Sequence, residues 1–357
     1  RTSTPTRPDP MCRRAPTRSP FRQAVAIAVV PLIGAASVTA NPAAAQAPAG
    51  LTGTVIVVNK QGNDASFIDL VTGRIVATAP TGNGPHELIV SADGRTAVVT
   101  DYGRGSNSLT VLDVATATPT ATIDLGEFTS PHGIAWMPDG ERVAVTSETT
   151  GNVVLVSIAQ RQVVGNISTD AERSHMLAVT ADGSTIWTGD MGSNTVTELD
   201  VATMRKVRAL PAPQTPEAVN VSPDGSRVFA GSNDTGLVTA FDTSDGSTAV
   251  VGEGFGWPYR IYPTPGVRQL VIPDMRAEVL RFFNGSDYTE LGSIPFPGEG
   301  PQGLILHPDG RHLFLSLSRA GRIAVVDIDT RTVVGYLPAG AGPDGIGYSP
   351  LVVGGTP

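Results

Sequence analysis

The stretch 131–167, PHGIAWMPDGERVAVTSETTGNVVLVSIAQRQVVGNI, reads as four short strands joined by turns. Runs rich in valine and isoleucine fall at 133–137, 142–146, 153–158 and 162–167. Asp139-Gly140 separates the first two runs and marks a hairpin, because Asp-Gly supplies the positive φ of a tight turn. No 3.6-residue apolar period runs through the stretch, which excludes a helical solenoid.

The same punctuation recurs along the chain. Asp93-Gly94, Asp182-Gly183, Asp224-Gly225 and Asp309-Gly310 repeat the turn, and Pro265-Gly266 stands in its place in one degenerate copy. A second marker precedes each Asp-Gly turn by seven residues and recurs in the two copies that lack one: His86, His132, His175, Glu217, Tyr259, Gln302 and Asp344, spaced 46, 43, 42, 42, 43 and 42 residues apart. All but His175 follow a proline. A period of about 42 residues containing four strands is the signature of a propeller, and a parallel β-helix has a shorter repeat. The last copy has room for one strand at 345–348. The N-terminal part supplies three at 54–59, 65–69 and 74–78. Joining them predicts an all-β, seven-bladed β-propeller of four-stranded antiparallel blades, its ring closed by N-terminal strands pairing with a C-terminal strand. A closed ring leaves no strand edge to pair, so a monomer is expected.

Composition agrees with this reading. Of 357 residues, 40 are glycine and 29 proline, and only 16% are charged, which suits a globular chain with many turns. Residues 1–47 read as upstream residues and a secretory signal peptide, with Met11 the natural start. Arg13, Arg14, Arg18 and Arg22 form a basic region, 24–36 an apolar one, and Ala45-Gln46-Ala47 fits a cleavage site. The arginine pair hints at twin-arginine export, but the residues after it fit ordinary secretion better. The apolar run is too short for a membrane span. Residues 48–357 are then one propeller domain in the periplasm or secreted. Cys12 is the only cysteine and lies in the removed segment, so disulfide and thiolate chemistry are excluded. The net charge of −8 becomes more negative once the arginines of the leader are gone, and an acidic body repels nucleic acid.

PHGIAWMPDGERVAVT at 131–146 and GRIAVVDIDTRTVVGYL at 321–337 resemble the YVTN-repeat propellers, relatives of the YncE-like proteins. The resemblance extends over 51–350. It implies the fold and, because that family includes binding and surface proteins, leaves function open. The copy at Pro258 departs from the pattern: its Asp-Gly turn is lost.

The marker register supplies the candidate site. It begins the innermost strand, where equivalent residues of successive blades face one channel. His86, His132, His175 and Glu217 would converge there, a plausible shell for a divalent metal ion with positions left open. The competing reading is that such histidines are solvated or bonded to neighbouring backbone. Fifteen residues on, the second strand returns to the same face. This places Asp101 beside His86, Asp190 beside His175, and Glu148 in the His132 blade, as orienting carboxylates or as acid–base catalysts. Trp257, Tyr259 and Arg260, with Phe255, are candidate substrate contacts through stacking and charge. Met176, Met191 and Met275 are expected near the same face as packing groups or, less fittingly, copper ligands. His307 and His312 are expected to brace a hairpin at the other end. Asp69, Asp113, Asp200, Asp242 and Asp327 are expected to bond turn backbone.

Two readings follow. In the first, the protein is a metal-dependent exported enzyme, of lyase, lactonase-like or oxidative type. In the second, it is a non-catalytic propeller that binds a peptide, a glycan or a partner protein on its top face. No nucleophile elbow, phosphate loop, dinucleotide fingerprint or haem-attachment motif is present.

Overall fold

A computed structural model describes residues 48–355. Those residues form seven four-stranded sheets, every adjacent strand pair antiparallel, arranged as the blades of a propeller. Six blades are built from consecutive strands. The seventh places Pro343–Ser349 innermost, against Thr54–Asn59, so the two ends of the domain close one sheet. Inner strands of successive blades pack on one another around the axis. Residues 1–47, read from the sequence as upstream residues and a signal peptide, lie outside the described residues. Among the described residues no helix is long and apolar enough to cross a membrane.

The core lies between blades rather than within them. Middle strands such as Arg142–Ser147 and Asn152–Ser157 are buried almost throughout, because both faces of each sheet are covered by a neighbour. Outer strands such as Arg74–Pro80 are mostly exposed. Valine and isoleucine on both faces of the middle strands are thus a packing requirement, not only a strand preference. Val98 and Leu109 of one blade, for example, pack with Val143 and Val154 of the next. Burying each such side chain stabilises the ring by about 1.5–3 kcal/mol.

The hairpins work as the residue types suggest, with one refinement. Gly140 has φ 70°, whereas Asp139 acts through its side chain: its Oδ1 accepts the Glu141 amide at 2.9 Å. The aspartates between the third and fourth strands do the same. Amides of Val71, Thr116, Thr203, Ser244 and Asp329 donate to Asp69, Asp113, Asp200, Asp242 and Asp327. In the irregular blade a single 3-10 turn, Pro265–Val267, replaces the hairpin. Its inner strand shrinks to Tyr262–Pro263 plus an isolated bridge from Pro258 to Asp274.

One irregularity repeats and matters for the site. Each regular inner strand slips register just after its first residue: between Pro85 and Leu88, Pro131 and Ile134, Ser174 and Leu177, Pro216 and Ala218, Pro301 and Leu304, and Pro343 and Ile346. A bulge of this kind leaves a residue without a ladder partner and re-aims its side chain. The bulge falls on the marker residue of every one of these blades.

Candidate site at the channel mouth

The bulges turn six of the marker residues toward the axis, and Tyr259 comes from the irregular blade. His86, His132, His175, Glu217, Tyr259, Gln302 and Asp344 are all buried, and His132 and Asp344 have no solvent exposure at all. Three imidazoles stand side by side. The ring centroids of His86 and His132 are 4.2 Å apart, and those of His132 and His175 are 3.5 Å apart. Glu217 follows, 3.8 Å from His175 Nε2 and hydrogen-bonded by Asn233 Nδ2. On the other side His86 Nδ1 lies 3.0 Å from Asp344, whose second oxygen accepts the Tyr259 hydroxyl at 2.9 Å.

His132 is the odd member. Neither of its ring nitrogens has a hydrogen-bond partner among the described residues. Burial, and then the positive charge of neighbouring His175 and His86, hold its pKa well below the ordinary value, so it is a neutral imidazole. His86 differs. Burial opposes its charge, but the Asp344 and Glu87 carboxylates outweigh burial and raise its pKa. Asp344 is held low despite its burial, chiefly by His86.

The tightest group of donor atoms is not the one drawn from the repeat. Ligand atoms of His86, Glu87 and His132 lie within 4.8 Å of one another. Glu87 was invisible to an alternating strand pattern, which sends consecutive side chains to opposite faces. The bulge lets both His86 and Glu87 reach the axis, with His86 Nδ1 3.4 Å from Glu87 Oε1. One signal in the sequence pointed to it. In this next register four copies carry Gly133, Ala218, Gly303 and Gly345, while Glu87 and Arg260 carry opposite charges.

The proposed carboxylates divide sharply. Glu148 joins the histidines: its Oε2 lies 3.4 Å from His175 Nδ1 and accepts the Tyr102 hydroxyl at 2.5 Å, while Arg173 Nε donates to Oε1 at 3.1 Å. Burial would raise its pKa, but His175, Tyr102 and Arg173 together bring it down to about 2. Asp101 and Asp190 do not stand beside histidines. Asp101 accepts from the Gly82 amide and the Ser108 and Thr110 hydroxyls. Asp190 accepts from Ser174, Thr188, Thr195 and Thr197. Both sit at the end of the second strand and are fully buried, where they tie the loop entering the blade to the sheet. Their equivalent Asp274 holds the Gly256, Trp257 and Ala277 amides in the same way.

The aromatic group also resolves differently from its sequence reading. Tyr259 and Phe255 are buried, the latter against Phe283 and the guanidinium of Arg281. Trp257 stays half-buried beneath Arg276. Arg260 is not a free contact at the rim: it stacks on Tyr259, donates to that residue's carbonyl at 2.6 Å, and pairs with Glu87 inside the channel. Met176 lies lower in the channel wall, and Met275 accepts a hydrogen bond from Gln302 at 3.3 Å. His307 and His312 brace the Asp309 hairpin, at 3.2 and 2.6 Å.

Tyr102 is a further member that the repeat did not reveal. The His86 blade carries a longer second loop, 102–107, which together with a longer connection to the next blade, 125–130, accounts for its spacing of 46. The ring of Tyr102 lies edge-on to His86 and His132, at 5.0 and 4.8 Å, with Lys60 5.5 Å from its centroid.

The family model described as YNCE-like beta-propeller matches residues 35–142. The fold is similar to that of a hydrazine synthase chain from Kuenenia stuttgartiensis, with 19% identity and a TM-score of 0.69 over 79% of this chain and 94% of that one. It is equally similar to a functionally unknown protein from Desulfotomaculum acetoxidans DSM 771, with 18% identity and a TM-score of 0.69 over 84% and 100%. At such identities the likeness concerns the fold. No curated protein matches the sequence.

Proposed function

The chain is a seven-bladed β-propeller of the YncE-like family, and from that premise we propose that its channel mouth binds a divalent transition-metal ion together with a small polar molecule. The observation that carries this reading is His132, a fully buried neutral imidazole with two unpartnered nitrogens next to His86 and Glu87. Buried polar atoms without partners cost free energy, and a metal ion is one occupant that uses a neutral imidazole directly. His86, Glu87 and His132 would hold the ion, with His175 and Glu217 beside them; imidazole and carboxylate donors suit zinc, copper or iron. When bound, such an ion supplies Lewis acidity toward an oxygen of the molecule beside it, the basis of hydrolytic and lyase chemistry, while copper or iron adds oxidative chemistry.

Around that position the chain's own groups orient rather than shuttle protons. Glu148, held at about 2, is a carboxylate of very weak basicity at neutral pH. It fixes His175, Tyr102 and Arg173 in place. Asp101 and Asp190 are occupied by hydroxyls and take no part. We place the protein outside the cytoplasm on the leader-like residues 1–47; the first residue of the exported protein, expected just after Ala47, checks this.

A second reading is favoured by the His132–His175 pair, whose rings lie only 31° from parallel at 3.5 Å and so present faces rather than nitrogens to each other. On that reading the mouth is a metal-free platform for a peptide, a glycan or a partner protein. The two are separated by metal content on untagged protein, with His132→Ala as control. Near-stoichiometric metal that is lost in a folded His132→Ala variant supports the first. Absence of metal after incubation with zinc, manganese, iron and copper overturns it in favour of the second.

A further inference from the structure

Below the histidines the channel changes character. A cavity of about 440 Å³ runs from the level of Glu87 and Arg260 toward the hairpin face. Its wall is aliphatic: Leu88, Ile134, Met176, Val219, Leu304 and Ile346 come from six different inner strands. Volumes of this order hold small organic ligands. An apolar wall of this kind holds ordered water poorly, because water needs two or more polar partners.

The charged groups of the lining are Glu87 and Arg260, whose side chains are each only 12% exposed. The Arg260 guanidinium donates through Nη1 to the Tyr259 carbonyl and through Nη2 to Glu87, while Nε donates to no group among the described residues. Glu87 is engaged twice, by Arg260 and by His86. The group that remains able to recognise a ligand from below is therefore a donor carrying positive charge.

We propose that this lower chamber is a second binding site, for a small amphipathic carboxylate whose apolar part fills the aliphatic wall and whose carboxylate meets Arg260. A charge-assisted hydrogen bond to a buried guanidinium gives such a head group preference over a neutral alcohol of the same length. The inference needs no metal ion: Glu87 stands at the boundary of the two compartments, and the ligand is recognised by Arg260 and the aliphatic wall below it.

Isothermal titration of the purified chain with octanoate, and with octanol as the uncharged match, tests it. Saturable octanoate binding at least tenfold tighter than octanol is expected. Arg260→Gln alone strands Glu87, so the double variant Glu87→Gln/Arg260→Gln keeps the interior neutral and should weaken octanoate about tenfold while leaving octanol unchanged. Ala135→Leu, which narrows the chamber without touching the charges, should weaken both ligands. Absence of octanoate binding, equal affinity for octanol, or octanoate affinity indifferent to the double variant and to Ala135→Leu would each overturn the proposal.

Discussion

Glu87 and Arg260, 173 residues apart in sequence, form a salt bridge across the channel that divides a polar upper mouth from an aliphatic lower chamber. Burial opposes both charges, yet each sustains the other: Arg260 draws the Glu87 pKa down and Glu87 raises that of Arg260. Removing one partner of such a pair leaves an uncompensated buried charge. Arg260→Gln should therefore cost about 3–5 kcal/mol of folding stability. The double variant Glu87→Gln/Arg260→Gln should regain most of it, as read from urea denaturation midpoints.

The histidines give stability a pH dependence whose sign differs from residue to residue. His132 has a depressed pKa in the folded protein, so below its ordinary value of 6.5 the unfolded chain binds a proton that the folded one does not. Its contribution is present above pH 6.5 and is lost as pH falls. His86 has a raised pKa, so its contribution is fully present below 6.5 and is lost as pH rises through the folded value. Between pH 7.5 and 5.5, His132→Leu should flatten the fall in denaturation midpoint and His86→Leu should steepen it. Equal slopes in the two variants would contradict the assignment.

Asp190 is expected to behave as a structural anchor. Asp190→Ala strips the shared acceptor from four hydroxyls, those of Ser174, Thr188, Thr195 and Thr197, and should cost about 3 kcal/mol. Affinity for a metal or ligand at the mouth should be unchanged in the folded variant. A selective loss of that affinity with unaltered thermal stability would instead return Asp190 to the site.

Close packing around the axis is tested at Gly345. A Cβ there would lie 2.4 Å from the carbonyl oxygen of His86 in the next blade, and backbone cannot move aside cheaply. Gly345→Ala should cost about 1–3 kcal/mol. Deleting 343–357 is a harsher form of the same test, because it strips the inner strand from Thr54–Asn59 and opens the ring. That chain should fail to show a cooperative thermal transition in calorimetry.

The blade count, the closure of the ring and the marker register were all legible in the chain itself. Asp-Gly turns, apolar runs of strand length and a spacing near 42 are local properties, and local geometry does not depend on the neighbours. The register puts His86, His132 and His175 on one axis, and the structure sets them side by side. The failures came from residues fifteen positions further on. Asp101 and Asp190 return to the correct end of the blade, but a buried carboxylate takes whichever donors are closest, and those are hydroxyls of their own sheet.

What the sequence alone determined, then, is a repeat: how many blades, where each inner strand begins, and which seven residues open onto the channel. What only the tertiary structure decided is which side chains meet there. A bulge at the start of each regular inner strand breaks the alternation of side chains, so Glu87 enters the channel where period-two reading sends it away. A six-residue loop brings Tyr102 over the histidines, and ring closure carries Asp344 to His86 and Arg260 to Glu87. Contacts of this kind join residues from separate blades, and their geometry follows from how the blades pack around the axis, which no single repeat encodes.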